Sequence, residues 1–361
     1  MDTNKKYIIL SDGTIYEGIG FGFDTEVLGE IVFNTSMTGY QEMLTDPSYR
    51  GQILVSTFPM IGNYGIYDDF NESKNIQVKS YIVRDLCEDP FHYSNVKNLN
   101  QFLTENKIPG IHSIDTRAIT RKIRKFGSKM ALITNDPNID KAVNKINKFG
   151  AYEDTNYVNQ VSVRQAENHI VANSKFKLAL VDFGVKRNII RLLNSRKCDV
   201  EVFPWNYNFN NLDLKKFDGI VMSPGPGDPK TLLGDIKGLK KCIENIPTLG
   251  ICLGHQIIAH IYGGETFKLL FGHRGGNQPV KEIESGRVYP TSQNHGYAVS
   301  DKNFPAELNI THMNINDNTV SGLKHIDKPI LSIQYHSEAC PGPVDSEYIF
   351  DNFIDLIKEK E

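Results

Sequence analysis

The residues best suited to covalent chemistry lie in Gly250-Ile251-Cys252-Leu253-Gly254-His255-Gln256, a cysteine with glycines two before and two after it. Paired glycines at that spacing permit a sharp strand-to-helix turn, the logic of the Gly-x-Ser-x-Gly elbow that lifts a nucleophile clear of a sheet. A helix over Leu253–Tyr262 would then stand its N-terminus behind Cys252, and helix N-termini and nearby imidazolium favour a thiolate over a thiol. The Leu253 N–H would be free to face an oxyanion. Gln334-Tyr335-His336-Ser337-Glu338 supplies a base and an orienter. In an extended segment, residues two apart point the same way with Cα atoms about 6.6 Å apart. Glu338 can therefore reach one ring nitrogen of His336 while the other faces the thiol, a nucleophile–base–orienter arrangement.

Two further segments read as substrate-facing loops. Ser223-Pro224-Gly225-Pro226-Gly227-Asp228-Pro229 follows a strand and places two glycines in a proline-stiffened loop. It lacks the Lys-Ser/Thr ending of a phosphate-binding loop, so close backbone approach to a small ligand, with an amide as second oxyanion donor, is the better reading. Asn294-His295-Gly296-Tyr297 offers a carboxamide suited to an amino-acid head group. His255 and His295 lack a carboxylate two residues away and are assigned structural or orienting roles. Cys87, Cys198, Cys242 and Cys340 read as structural. With no Cys-x-x-Cys pair and no His-Glu-x-x-His helix, no metal is expected.

The elements that must position these groups change character along the chain. Residues 1–149 read as a mixed α/β domain. Tyr7–Leu10, a turn at Ser11-Asp12-Gly13 and Thr14–Phe23 form a hairpin, and Glu30–Asn34 is a strand. Gln52–Phe58 reads as an edge strand capped by Pro59. Ile119, Ile123 and Phe126 share one face of a helix over Asp115–Lys125, whose other face carries Arg117, Arg121, Lys122, Arg124 and Lys125. In a chain of near-neutral charge that stripe is a solvated face. Residues 150–175 dissolve into scattered polar residues and isolated valines and read as a linker. From residue 176 to 361 strands and helices alternate. The strands are Lys177–Phe183, Asp199–Phe203, Gly219–Met222 and Thr248–Ile251. A helix follows Val185, and others cover Leu232–Ile246, Leu253–Tyr262 and Val344–Glu359. Residues 266–342 read as turns and short strands. The alternation predicts a mainly parallel, doubly wound sheet with its site at the strands' carboxyl ends.

Composition removes other classes. Lys and Arg number 40 against 43 Asp and Glu, a net charge of −3 that does not point to nucleic acid. No apolar run approaches the roughly 20 residues of a membrane span, and the amino-terminal apolar run is too short for a secretory signal. Five widely spaced cysteines make no disulfide framework, which fits a reducing, cytoplasmic setting.

Taken together, Gly250–Gln256, Gly225-Pro226-Gly227 and His336-Ser337-Glu338 resemble a class I triad glutamine amidotransferase domain over residues 176–361. Asn294-His295-Gly296 and Phe271–Asn277 narrow the resemblance to the small subunit of carbamoyl phosphate synthetase. Asn34–Glu42, Leu44–Tyr49 and Ile114-Asp115-Thr116-Arg117 resemble that subunit's own amino-terminal domain. The resemblance implies that Cys252 attacks the glutamine side-chain amide to form a γ-glutamyl thioester, with His336 as base and Glu338 orienting it. It assigns glutamine binding to Ser48, Gly225, Gly227, Leu253, Gln256, Asn294, Gly296 and Tyr297, with Ser48 reaching the pocket from the other domain. It implies no cofactor in this chain. The ammonia would pass to a large subunit that uses ATP and Mg to make carbamoyl phosphate. Tyr297 stands where the family often has Phe, and Pro224 where Asn is frequent. Rival readings are the glutaminase of another synthase, a stand-alone γ-glutamyl hydrolase and a non-catalytic regulatory subunit.

Overall fold

The computed structural model describes residues 4–360, and the chain divides into two compact units between Thr155 and Asn156. In the first unit, β1 (Lys5–Leu10), β2 (Ile15–Gly22), β3 (Val27–Asn34), β4 (Gln52–Ser56), β5 (Ser80–Ile82), β6 (Pro109–His112) and β7 (Lys129–Thr134) close a barrel. The order around it is β1-β2-β6-β5-β4-β3-β7. The β1–β2 hairpin pairs Ile9 with Ile15 across the Ser11-Asp12-Gly13 turn. Gln52–Ser56 is not an edge: β4 lies between β3 and β5, parallel to both. The strand ends before Pro59, so the missing proline N–H removes no ladder bond.

Helices α1 (Thr116–Phe126) and α2 (Ile139–Phe149) precede and follow β7 in the chain, and α1 is capped by Asp115, whose Oδ1 accepts from the Ala118 N–H at 2.9 Å. Ile119 and Ile123 are buried as their spacing predicts, but Phe126 is half-exposed. Its ring lies under the Lys122 and Lys125 ammonium groups, 4.8 and 5.1 Å from the centroid. The basic stripe thus partly covers this apolar ring.

The second unit holds one sheet of ten strands. They are β8 (Glu167–His169), β9 (Phe176–Asp182), β10 (Cys198–Pro204), β11 (Gly219–Met222), β12 (Thr248–Ile251), β13 (Thr266–Glu282), β14 (Val288–Val299), β15 (Leu308–Asn314), β16 (Val320–His325) and β17 (Ile330–Ile333). Their order is β8-β10-β9-β11-β12-β17-β16-β15-β13-β14. The centre, β10-β9-β11-β12-β17, is parallel, and the strands outside it are antiparallel. Parallel strands covered on both faces are apolar on both. On β9, Leu178 and Leu180 join a core with α3 (Arg187–Ser195) and α6 (Tyr348–Lys358), while Ala179 and Val181 join a second core with α4 (Leu239–Ile243) and α5 (Leu253–Ile261).

Three further expectations are corrected. The stretch 150–175 is not a bare linker: β8 adds to the sheet against β10, and Val158 is buried in the second core. Partners distant in sequence satisfy its polar groups, since Asp182 Oδ2 accepts from the Val163 N–H at 2.7 Å and Ser162 Oγ from the Trp205 N–H at 3.1 Å. The helix over Leu232–Ile246 shrinks to a 3-10 turn at Pro229–Leu232 and the short α4, because Gly238 takes φ +81° and restarts the chain direction. Residues 266–299 form two long strands of 17 and 12 residues rather than short ones, with register shifts around Gly272 and Gly275. Their glycines mark bulges, not turns.

Candidate active site

Cys252 occupies the single residue between β12 and α5, with φ +52° and ψ −100°. A non-glycine residue held there costs on the order of 1–3 kcal/mol and persists only where its surroundings over-determine it. They do so here. The Cys252 N–H donates to Ile333 O at 2.8 Å, extending the ladder to β17. Its carbonyl accepts from the Gln256 N–H at 3.2 Å, the first turn of α5. Gly254 donates to Ser223 O at 3.1 Å, and a Cβ on Gly254 would strike the Met222 carbonyl oxygen. The motif's second glycine thus lets α5 start hard against β11. The Leu253 N–H is at the first helical position, where no carbonyl of the same helix can satisfy it.

The thiol is buried between polar groups. Sγ lies 3.9 Å from Asn294 O and accepts from Gln334 Nε2 at 3.6 Å. His336 Nδ1–H donates to Glu338 Oε1 at 2.6 Å, and the buried Nε2 has no hydrogen-bond partner. The way these two residues meet differs from the extended segment expected. Past Ile333 the chain bends, His336 bridges Ser292 with its N–H on Ser292 O at 2.8 Å, and a turn closes by Ala339 N–H to His336 O at 3.1 Å. The turn, not a strand's alternation, brings the carboxylate under the ring.

Besides Gln334, two further residues absent from the expected site complete it. Lys186, just before α3 and almost wholly buried, sets Nζ 3.2 Å from Glu338 Oε1 and also donates to Ala339 O. Asn188 Nδ2 donates to Glu338 O at 2.5 Å. The β9–α3 turn that delivers them is tied by Asp182 Oδ1, which accepts from the Gly184 and Val185 N–H groups at 2.9 and 2.8 Å. A lysine at a helix start reads as surface in sequence, so no local signal marked it.

Charge follows this geometry. Burial opposes the imidazolium, but the Glu338 carboxylate and the Cys252 side chain outweigh it and raise the His336 pKa to about 10. Burial likewise disfavours the Glu338 carboxylate, and Lys186 and His336 overcome it to hold its pKa at about 2. A cysteine facing an imidazolium that a buried carboxylate and ammonium sustain is arranged for nucleophilic attack. Among the described residues, no group of three or more His, Cys, Asp and Glu is placed to hold a metal ion.

The other expected residues lie on α5, on β14, in the loop after β11 and, for Ser48, in the first unit. Gln256 Nε2 donates to Tyr297 O at 2.8 Å and to Gln334 Oε1 at 3.0 Å. Both of its amide N–H donors are spent within the protein. Asn294, Gly296 and Tyr297 lie on β14, opposite β13, where Arg274 pairs with Asn294 in register. His295 is locked between Tyr297 O, 2.7 Å from Nδ1, and Gln293 Oε1, 3.0 Å from Nε2. Burial then His273 keep its pKa well below the ordinary value. His255 Nδ1 lies 3.0 Å from Ser332 Oγ, fully buried. Gly225 and Gly227 follow Ser223, whose Oγ accepts from the Phe183 N–H at 2.9 Å and donates to Pro224 O at 2.8 Å. Ser48 is in the first unit, in the turn Pro47–Tyr49 capped by Asp46. Its hydroxyl is buried without a hydrogen-bond partner.

A strained Cys elbow on a doubly wound sheet, with an oriented histidine, defines a class I glutamine amidotransferase, and residues 179–356 match the family described as glutamine amidotransferase class-I. Residues 8–133 match the carbamoyl-phosphate synthase small chain, CPSase domain. The chain is 45% identical over 354 residues to a carbamoyl phosphate synthase small chain of Clostridium acetobutylicum, covering 98% of this chain and 100% of that one. It is also 45% identical over 358 residues to the small chain of Methanocaldococcus jannaschii, covering 98% and 99%. The same identity over 358 residues, covering 99% and 97%, relates it to the pyrimidine-specific small chain of Bacillus subtilis. The chain belongs to the carbamoyl phosphate synthase small-chain family. No described helix is long and apolar enough to cross a membrane.

Proposed function

We propose that this chain hydrolyses glutamine and supplies the ammonia to a large, ATP-dependent partner that makes carbamoyl phosphate. Cys252 Sγ attacks the side-chain carbonyl carbon of glutamine. His336, carrying the proton of the thiol as an imidazolium, passes it to the departing nitrogen, so ammonia leaves as the γ-glutamyl thioester forms. His336 then activates a water that hydrolyses the thioester, releasing glutamate and restoring the thiol. Glu338 holds the ring and balances its charge. The N–H groups of Leu253 and Gly225 stabilise the tetrahedral oxyanion. Ser48, Gly227, Gln256, Asn294, Gly296 and Tyr297 hold the substrate in this reading.

The observation that carries it is Cys252 at φ +52° beside a histidine held 2.6 Å from a buried carboxylate. A non-catalytic regulatory subunit would have no use for strain at that one residue. The test is carbamoyl phosphate formation by this chain with its large partner, using wild type and Cys252→Ala, once with glutamine and once with ammonia as nitrogen source. The variant is expected to lose the glutamine-dependent rate by at least about a thousandfold and to keep the ammonia-dependent rate. Equal glutamine-dependent rates would refute the mechanism. Failure of both proteins with glutamine, while ammonia still works, would assign the chain to another synthase or to regulation.

A further inference from the structure

The sulfur of Cys252 has two unlike neighbours. Asn294 O, 3.9 Å away, can only accept, so it favours the protonated thiol. Gln334 Nε2, 3.6 Å away, can only donate, so it favours the thiolate, and a hydrogen bond to an ionised acceptor is the stronger kind. Cys252 and Gln334 are 2% and 1% exposed, so little solvent competes for that bond.

The direction of the Gln334 amide is forced by its neighbours. Tyr297 O on β14 can only accept, and the Gln256 amide lies 2.8 Å from it, so Gln256 presents its nitrogen there. The same nitrogen lies 3.0 Å from the Gln334 side chain, which must answer with its oxygen. Turned round, Gln334 would set donor against donor. Its own nitrogen is therefore left to the sulfur. The backbone takes no part in this choice, since the Gln334 N–H donates to Ser321 O at 3.0 Å. Groups from three elements, Tyr297 on β14, Gln256 on α5 and Gln334 just past β17, thus end in an N–H aimed at the nucleophile.

We propose that Gln334 is a positioning residue for the reaction of Cys252: its amide N–H holds the thiolate, and Gln256 fixes the direction of that amide. The proposal rests on the reading of Cys252 as the attacking nucleophile. Burial opposes a thiolate, and a donor to the charged form offsets that cost. The charged groups near the sulfur are the His336 imidazolium with Glu338 and Lys186 behind it, while burial keeps His295 on β14 and His255 on α5 neutral. Gln334 adds a neutral donor to this set, one whose direction does not change with pH.

The test is the pH dependence of Cys252 alkylation by iodoacetamide, a neutral probe, read by mass spectrometry of the Cys252 peptide in the full chain bound to its large partner. Gln334→Met keeps the length of the side chain and removes the donor. Gln256→Met keeps Gln334 and removes what directs it. In Gln334→Met the midpoint of the alkylation profile is expected to rise by about one pH unit or more, a tenfold change in thiolate fraction. Gln256→Met should shift it the same way by less. For glutamine hydrolysis, Gln334→Met is expected to lower kcat about tenfold or more with KM little changed. A profile superimposable on wild type would overturn the proposal, as would a loss confined to KM. Should Gln334→Met fail to fold, an upward shift in Gln256→Met upholds the proposal and an unchanged profile overturns it. A wild-type chain that alkylates at Cys252 but hydrolyses no glutamine would defeat the proposed function, and the alkylation profiles would still decide the role of Gln334.

Discussion

Two regions of the second unit bury histidine, and they treat it in opposite ways. At the end of β17, His336 is held as a cation. On α5 and β15, His255 and His312 are held as neutral bases, with pKa values pushed down to about 3 and 4 by burial and, for His255, by the neighbouring His312. Desolvation is the largest influence in all three. What differs is the company. His336 has a carboxylate oxygen at 2.6 Å that is itself fixed by a buried ammonium. His255 has only a serine hydroxyl, and His312 a threonine hydroxyl with a carboxylate at 3.8 Å. Burial alone silences an imidazole; a buried ion triad turns the same burial into a means of keeping it charged.

Removing the charged ring should break this contrast most severely. His336→Asn takes away the base and leaves Glu338 facing Lys186 alone, and glutamine hydrolysis is expected to fall by on the order of 10³–10⁶ while ammonia-dependent synthesis persists. The same variant separates the two regions by pH. A raised His336 pKa means its contribution to stability is complete below the ordinary value of about 6.5 and fades as pH climbs through about 10. His255 and His312 have depressed values, so their contribution is complete above about 6.5 and is lost on acidification. Denaturation midpoints should show wild type losing its advantage over His336→Asn between pH 6.5 and 10. Between pH 6.5 and 4.5 both proteins should weaken in parallel. Parallel curves on the alkaline side would mean that His336 is not held as a cation.

Lys186→Met asks whether the ammonium, rather than the carboxylate alone, sustains the charge. It leaves Glu338 buried with half its partners, and truncating one member of a buried ionic group costs about 3–5 kcal/mol. The pH–rate profile for glutamine should shift, because a carboxylate without Lys186 is less readily ionised and supports the imidazolium less. We expect kcat to fall about ten- to a hundredfold with KM little changed. A loss confined to KM would place Lys186 with substrate binding instead.

How far the sequence disclosed this site depended on the range of the forces involved. Cys252 was legible because the constraint on it is local: Gly250 and Gly254 are needed wherever a strand turns sharply into a helix. His336 and Glu338 were legible by type and spacing, though through the wrong conformation, since a turn brings them together. Lys186 and Gln334 were not legible. Lys186 is buried only because Asp182 ties its turn and because Glu338 and Ala339, over 150 residues away, accept hydrogen bonds from its ammonium. Gln334 acquires its place from Gln256 and Cys252. The fold shows the same division. Gly219–Met222 and Thr248–Ile251 are read to the residue because apolar runs between turn signals leave no choice. Thr266–Glu282 reads in sequence as short strands because a bulge glycine and a turn glycine look alike until the partner strand is seen.

The smallest expected effect comes from the surface counterpart of the buried triad. Asp12 Oδ2 is also held by two lysines, Lys122 and Lys129, at 3.1 and 3.2 Å. Its pKa is lowered too: partial burial works against the carboxylate, and bonds from Thr14 and then the lysines overcome it. Solvent reaches all three side chains, each about a quarter exposed. The lysines therefore lose little hydration on pairing and keep little net energy from it. Lys122→Ala is expected to cost about 0.2–1 kcal/mol at low salt, and less at 1 M salt, where the Debye length shrinks to about 3 Å. Lys186→Met should be almost indifferent to the same salt. A Lys122→Ala penalty equal to that of Lys186→Met, or a Lys186→Met penalty that salt erases, would show that burial does not set the strength of a carboxylate held by lysine in this protein.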